Sequence, residues 1–179
     1  MAHELVWLDL EMTGLNPKRH RIIEIATAIT DSDLNMIAEG PELAIHANKA
    51  TLGRMNNYVH EMHQRSGLLE KVINSKITIE EAEKQTLDFL DEHLETKYRP
   101  PLCGNSIGTD RRFLDAQMNT LENRLHYRVV DVSSIKELVM RWNPELVGEM
   151  PAKLETHRAL DDVIESIEEL KFYREKIFR

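Results

Sequence analysis

Two acids in the most apolar segment of the chain limit what it can fold into. Residues 5–11, with the sequence LVWLDLE, are typical of a strand buried on both faces, and Asp9 and Glu11 stand two positions apart within it. Because side chains alternate between the faces of a strand, both carboxylates lie on the same face. A divalent cation would offset the cost of burying two like charges, since hard cations prefer oxygen ligands. The alternative is that Leu10 faces the core and both acids face water.

The order of the predicted elements indicates a mixed sheet flanked by helices. Strands are predicted at 5–11, 21–31 and near 42–46, with a turn at 39–41, and the short links between them favour an antiparallel meander. A further strand is predicted over 127–132. Helices are predicted from 79 to about 96 after a capping box at 78–81, over 111–121, over 133–142 with Ser133 as N-cap, and over 160–177. We expect an α/β fold in one domain spanning residues 1–179.

Composition excludes several classes of protein. The 179 residues carry a formal net charge of -8, which disfavours a protein that wraps long nucleic acid. Cys103 is the single cysteine, so an internal disulfide and a cysteine zinc site are excluded. No apolar run approaches the ~20 residues of a membrane span, and no secretory signal is visible. We expect a cytoplasmic protein, or a mitochondrial one if the chain is a mature or truncated form.

Three further residues are candidates for chemistry at the two acids. His157 and Asp162 form an H-x-x-x-x-D pattern at the start of the last helix, and both can point to one place if His157 lies in the preceding loop. Asp161 competes with Asp162, and acids at a helix N-terminus are also explained by the helix dipole. Asp110 lies at the start of another helix, where a plain N-cap explains it equally well.

The main alternative from a different class is a serine hydrolase. Residues 104–108 fit G-x-S-x-G around Ser106, and Asp131 and His157 follow in the Ser-Asp-His order. The segment before Ser106 is a poor strand, however, and this interpretation leaves Asp9 and Glu11 without a role. A non-catalytic binding module is a second alternative, and it predicts no metal dependence.

Two other pairs of residues have structural interpretations. His60 and His63 are one helical turn apart, as metal ligands can be, but no carboxylate pattern supports them and we interpret both as surface residues. Trp7 and Trp142 are expected to be packed rather than cofactor-binding.

Taken in order, the four acids and the histidine resemble the DEDDh exonucleases, a family with an RNase-H-like fold. Asp9 and Glu11 in LDLEMTGL match the first motif of that family, and Asp110 in GNSIGTDRRFL matches the second. His157 and Asp162 in HRALDD match the third, which favours Asp162 over Asp161. The segments WLDLEMTGL, RIIEIAT, HYR-x-x-DVSS and HRALDD-x-x-ESI extend the similarity to the oligoribonuclease branch over nearly the whole chain.

The resemblance implies a fold, a reaction and a set of catalytic residues. The fold is an RNase-H-like mixed five-stranded sheet, an antiparallel meander followed by parallel strands. The reaction is 3′-to-5′ hydrolysis of very short RNA, down to dinucleotides, to 5′-nucleoside monophosphates, with a general single-strand 3′ exonuclease as the alternative. Two Mg²⁺ or Mn²⁺ ions would be held by four acids beside a general base. The implied metal ligands are Asp9, Glu11, Asp110 and Asp162, and the implied base is His157.

The resemblance also implies how substrate is bound. Leu15 matches a wedge between two bases, Tyr58 is a stacking candidate, and Ser106 matches a phosphate contact. The segment His126, Tyr127 and Arg128 matches one that reaches the site of the partner protomer, so a C₂ homodimer is expected. The chain departs from the bacterial members at Thr109, where glutamine is usual, and at Tyr58, where many carry tryptophan. Neither change touches a metal ligand, and Tyr58 keeps an aromatic face.

Overall fold

The computed structural model describes residues 4–150 and 158–178. Three antiparallel strands, β1 (Leu5–Met12), β2 (Ile22–Thr30) and β3 (Met36–Ala44), follow one another along the chain. Two three-residue strands, β4 (Leu102–Gly104) and β5 (Val129–Asp131), continue the sheet in parallel from the other side of β1. The strand order β3-β2-β1-β4-β5 confirms the predicted five-stranded mixed sheet and makes β1 its central strand.

Helices cover both faces of this sheet. They are α1 (Lys49–Leu52), α2 (Asn57–Arg65), α3 (Leu68–Asn74), α4 (Ile79–His93), α5 (Gly108–Gln117), α6 (Asn119–Arg124), α7 (Val132–Trp142) and α8 (Ala159–Lys176), with a 3₁₀ helix over Pro144–Glu149. Helix α4 begins with the predicted capping box of Thr78 and Glu81, and α8 matches its predicted range closely. Helices α1 to α3 were not predicted, because short helices carry a weaker periodic signal than long ones.

The alternation along β1 assigns its two faces to different helices. Val6, Leu8 and Leu10 belong to a buried cluster with residues of α4, α5 and α6. Trp7 instead packs with residues of α7 and α8, and its indole N–H donates to the hydroxyl of Thr30 at 3.0 Å. Because Asp9 and Glu11 continue the Trp7 face, they are directed to the side of the sheet that α8 covers.

Strand β3 begins earlier than predicted, and the expected turn at 39–41 lies inside it. The register with β2 shifts between Ala26 and Ala28, where Gly40 and Pro41 stand opposite the single residue Thr27. This irregularity accommodates a proline that could not donate to a regular ladder. A side chain at Gly40 would lie 2.6 Å from Phe89 and 2.8 Å from the carbonyl oxygen of Thr27, so the close approach there requires glycine.

The helix predicted over 111–121 is two helices, with the break at Met118. Gln117 ends α5 and turns its side chain to the loop before β2, where its amide N–H donates to the carbonyls of Pro17 and His20. The N–H of Leu121 donates to a carboxylate oxygen of Glu83 in α4 at 2.9 Å, which supports the start of α6. Tertiary contacts therefore divide a segment whose apolar spacing suits one continuous helix.

The N-cap of α7 is Asp131 rather than the predicted Ser133. The Asp131 carboxylate accepts from the backbone N–H of Ser133 at 3.0 Å, and β5 accordingly ends at 131 instead of reaching 132. Trp142, expected to be packed, is 70% exposed. In the part of the chain that the structure describes, the helices lack the combined length and apolar character that crossing a membrane requires.

Candidate active site

Three carboxylates converge where the central strand ends. Asp9 and Glu11 lie near the carboxyl end of β1. Asp162 lies in the first turn of α8, the helix that covers the face of the sheet to which both strand acids are directed. One oxygen from each of the three residues lies within 4.8 Å of the other two, a spacing at which a single cation can be held. Glu11 is buried, whereas Asp9 and Asp162 are half-buried and accessible from solvent. The prediction that the two strand acids share a face is confirmed, and the water-facing alternative is wrong for Glu11.

Asp110 lies beside this cluster but outside the group of three. It is buried in the first turn of α5, and its Oδ1 accepts from the backbone N–H of Leu10 at 3.1 Å. That hydrogen bond fixes Asp110 against β1 at the residue between Asp9 and Glu11. The alternative that Asp110 is a plain N-cap is wrong, since Asp110 is inside α5 and the residue before the helix is Ile107.

The buried acids oppose one another's ionisation. Burial, followed by the charges of Asp110, Asp162, Glu11 and Glu24, raises the pKa of Asp9 well above its usual range. Burial and neighbouring acids raise the pKa of Glu11 to about 8, and burial raises the pKa of Asp110 to about 7. A cation among these oxygens would favour the charged carboxylates and release protons, so the donor set fits a hard divalent ion.

His63, interpreted from the sequence as a surface residue, is fully buried beside the cluster. Its Nε2–H donates to the carbonyl oxygen of Met12 at 2.9 Å, and its Nδ1 lies 3.8 Å from Oε2 of Glu11. The amphipathic pattern of α2, which has Val59 and Met62 half-buried on the same side, would have shown that His63 faces inward. That signal was missed because the helix itself was not predicted.

Glu24 is a second buried charge near the site that the sequence did not single out. It stands directly opposite Glu11 in the antiparallel pair β1–β2, so the two side chains share a face. Its carboxylate is fully buried and is bound by the guanidinium of Arg158, whose Nη2 lies 2.6 Å from Oε1. A buried acid so close to a proposed metal ligand is therefore engaged by a cation of the chain itself.

Of the remaining candidate residues, the substrate-binding ones are described by the structure and the candidate base is not. His157, the candidate base, lies outside the described residues. Leu15 and Tyr58 are 72% and 68% exposed, so each has a free apolar surface against which a base can stack.

The segment of His126, Tyr127 and Arg128 leads into β5 and forms a compact surface patch. The rings of His126 and Tyr127 are 4.4 Å apart, and the Arg128 guanidinium lies 5.5 Å from the centre of the Tyr127 ring. Arg111 of α5 donates to the carbonyl oxygens of His126 and Tyr127 and so holds the segment. Within the described residues these contacts join the segment to α5 and not to the acid cluster.

The surroundings of Ser106 test the serine hydrolase alternative. A strand, β4, does precede the serine, so the objection that this segment is a poor strand is wrong, and Ser106 has a φ of 54°. Its hydroxyl, however, lies 3.1 Å from the hydroxyl of Ser133, and the Asp131 carboxylate accepts from two backbone N–H groups. Asp131 therefore caps α7 and fixes the turn at Ser106, which is not the triad role that the alternative requires.

The mixed five-stranded sheet has the RNase-H-like fold, and comparison with known proteins identifies the family of the chain. A family model described as exonuclease, RNase_T, matches residues 6–170, and the chain therefore belongs to this family. Exonuclease I from Methylocaldum szegediense has the same fold, with a TM-score of 0.73 at 18% identity, over 98% of this chain and 41% of that one. The nuclease domain of 3'hExo, a DEDDh family member bound to rAMP, has a TM-score of 0.65 at 16% identity over 98% of this chain and 94% of that one. Enzymes of this family need divalent metal ions.

Similar proteins indicate the group within the exonuclease family to which the chain is most similar. The oligoribonuclease of Vibrio vulnificus (strain CMCP6) is 54% identical over 175 residues, which are 98% of this chain and 96% of that protein. The oligoribonuclease of Corynebacterium glutamicum (strain R) is 48% identical over 174 residues, 97% of this chain and 80% of that protein. Within its family the chain groups with the oligoribonucleases, and it is a hydrolytic nuclease that acts on RNA.

Proposed function

We propose that this chain is a 3′-to-5′ exoribonuclease that hydrolyses very short RNA, down to dinucleotides, to 5′-nucleoside monophosphates. Residues 1–179 would act as one domain. The observation that carries the proposal is the convergence of Asp9, Glu11 and Asp162 within 4.8 Å in a chain of the oligoribonuclease group. Asp110, whose carboxylate accepts from the backbone N–H of Leu10 between the two strand acids, is a fourth carboxylate beside the cluster.

Two divalent ions, Mg²⁺ or Mn²⁺, are the cofactors that this donor set fits. Asp9, Glu11 and Asp162 would hold them, with support from Asp110. When bound, such ions stabilise the charge that develops on the phosphoryl group and favour deprotonation of the attacking water. The half-buried positions of Asp9 and Asp162 leave the cluster open on the side from which a phosphate would enter.

His157 is the proposed general base. Its unperturbed pKa of ~6.5 suits removal of a proton from water near neutral pH. It is bonded to Arg158, which leads directly into the helix that carries Asp162. The attacking water would lose a proton to His157 as its oxygen bonds to the phosphorus, and the bond from phosphorus to the 3′ oxygen of the preceding nucleotide would break. That 3′ oxygen would take up a proton from solvent, and the 3′-terminal nucleotide would be released with the phosphate on its 5′ oxygen.

The substrate would be short because few groups hold it. Leu15 and Tyr58 would contact the two bases, and Ser106 would contact a phosphate. In a homodimer the patch of Tyr127 and Arg128, with His126, would come from the partner protomer and bind the 5′ phosphate in trans. A net charge of -8 agrees with a substrate of one or two phosphates, since long RNA is held by a broad basic surface.

The test is hydrolysis of a short RNA by wild-type protein and by two neighbouring acid variants. Asp162→Asn removes a member of the cluster, whereas Asp161→Asn removes the adjacent acid, which is not one of the three clustered residues. We expect Mg²⁺-dependent release of 5′-nucleoside monophosphates by wild type and by Asp161→Asn, and loss by about 10²- to 10³-fold in Asp162→Asn. Activity that survives EDTA, or equal loss in both variants, would overturn the proposed site.

A further inference from the structure

We propose that Glu24 is a positioning residue for this site: through Arg158 it fixes the start of α8, and with it Asp162 and the chain that follows His157. The expected effect on kcat rests on the proposed function, whereas the contact between Glu24 and the start of α8 does not. It concerns an acid that belongs neither to the three clustered carboxylates nor to the residues that bind substrate.

The contacts of Glu24 occupy both oxygens of its carboxylate. Oε1 accepts from Nη2 of Arg158 at 2.6 Å and from Nε at 3.2 Å, while Oε2 accepts from Nε at 3.1 Å. Oε2 also accepts from the backbone N–H of Ala159 at 3.2 Å. Planar, two-point contacts of this kind fix orientation as well as distance. The carboxylate therefore holds both a side chain and a backbone group at one end of α8.

The N–H of Ala159 is one that helix geometry leaves without a partner inside the helix. Arg158 is the residue before α8, and its side chain makes no capping hydrogen bond to the helix. Glu24 supplies the missing acceptor from a strand of the sheet, and its negative charge is favourably placed at a helix N-terminus. This contact ties the first residue of α8 to β2, the strand that lies beside the acids of β1.

The buried charge of Glu24 is stabilised by the charge of Arg158. Glu24 is fully buried and directly opposite Glu11, an arrangement in which like charges repel. A buried charge is tolerated when it is paired and hydrogen-bonded, and Arg158 provides both. Arg158 is itself held from a second side by Glu42 of β3 at 2.5 Å. The guanidinium is thus fixed between two strands, immediately before the turn of α8 that carries Asp162.

A small shift at the start of α8 would displace the groups proposed to take part in the reaction. Asp162 lies three residues after Ala159, and its backbone N–H donates to the carbonyl oxygen of Arg158 at 3.0 Å. His157 is covalently adjacent to Arg158 on the other side. Displacement of reacting groups by about 1 Å can cost about 100-fold in rate. Leu15, Tyr58 and Ser106 lie on other elements, so substrate binding should be spared.

The experiment compares Glu24→Gln with a control at the other end of the same helix. In the control, Asp33→Asn, the ion pair between the Asp33 carboxylate and Arg174 is weakened near the C-terminal end of α8, while the hydrogen bond from Arg174 to the backbone carbonyl of Asp33 remains. For a 5′-phosphorylated diribonucleotide with Mg²⁺, we expect kcat to fall about 10- to 100-fold in Glu24→Gln, with KM changed by less than about threefold. Asp33→Asn should keep kcat within about twofold of wild type, as a surface ion pair contributes little.

Amide hydrogen exchange in metal-free protein supplies a readout that does not depend on activity. The Ala159 amide should be protected in wild type and in Asp33→Asn and should exchange faster in Glu24→Gln, because its acceptor is weakened. Arg158→Lys is a milder variant that keeps the charge and loses the two-point contact, and it should show the same change at smaller size. The double variant Glu24→Gln with Arg158→Lys should lose no more kcat than the worse single variant, since one contact is broken in both.

The outcomes separate this proposal from the proposed function. A wild-type protein that hydrolyses no RNA would refute the function, and the exchange at Ala159 would still support or refute the contact. An active wild type with Glu24→Gln at full kcat, or with unchanged protection of Ala159, would overturn the positioning role. Equal losses of kcat in Glu24→Gln and Asp33→Asn would also overturn it, because they would show a general loss of helix stability.

Discussion

Glu11 should destabilise the metal-free protein as the pH rises, and Glu11→Gln should remove that effect. Glu11 is buried, and the pKa of its carboxyl rises from 4.5 in a free chain to about 8 in the folded protein. The folded state therefore binds the proton more tightly than the unfolded state does. Stability from this group is present below about pH 4.5 and is lost as the pH rises towards about 8.

The magnitude follows from the displacement of the pKa. Each pH unit between the unfolded and folded values costs about 1.4 kcal/mol, so wild type should lose about 2.5 kcal/mol relative to Glu11→Gln between about pH 5 and pH 7. The assay is urea unfolding of both proteins in EDTA at the two pH values. The other acids of the cluster are present in both proteins, so the difference between them contains the titration of Glu11 together with its repulsion of Asp9.

Adding Mg²⁺ should reduce the stability advantage of Glu11→Gln at pH 7. A ligand at 100 times its Kd stabilises the protein that binds it by about 2.7 kcal/mol, and Glu11→Gln should gain much less because one of the three clustered ligands is gone. A stability difference that is the same at both pH values would refute the electrostatic reasoning. An equal gain from Mg²⁺ in both proteins would refute the assignment of Glu11 as a ligand.

Three more predictions concern the general base, the stacking of RNA bases on Tyr58, and the dimer. His157→Ala should lower kcat by about 10²- to 10⁴-fold and flatten the acid limb of the pH–rate profile, measured between about pH 5 and 8; an unchanged profile would count against a histidine base. Tyr58→Ala should raise KM for a dinucleotide by about 5- to 150-fold, from a stacking contribution of about 1–3 kcal/mol, and Tyr58→Trp should not; steady-state kinetics decides, and an unchanged KM in Tyr58→Ala contradicts stacking. Inactive Asp162→Asn and Arg128→Ala proteins, unfolded and refolded together, should regain activity in about a quarter of their sites, because each mixed dimer assembles one intact site; a mixture without activity would contradict completion in trans.

The acids on β1 were predictable because strand geometry alone determines which way they face. Asp9 and Glu11 share a face by the two-residue alternation, and the structure adds that Trp7 and α8 define that face. The apolar residues of α8 recur every three or four positions along 18 residues, and this pattern likewise placed Asp162 near the start of a helix. These predictions depend on local geometry, which a sequence carries directly.

Residues that act through tertiary contacts were harder to predict. His63 lies on a nine-residue helix, and its burial depends on Met12 and Glu11, far away in the chain. Glu24 was visible as a polar residue in an apolar strand, but its partner Arg158 is 134 positions away. The start of β3 was misplaced for a related reason, because the bulge that admits Pro41 forms only against β2.

The most direct test of the central claim is a comparison of substrates by length. The ratio kcat/KM should be measured with Mg²⁺ for a 5′-phosphorylated diribonucleotide and for a single-stranded RNA of about 20 nucleotides, a length over which a basic binding surface would make many phosphate contacts. The account predicts efficient cleavage of the dinucleotide and much slower cleavage of the long strand. Preference for the long strand would keep the acid cluster as a nuclease site and contradict the short-RNA pocket built around Leu15 and Tyr58.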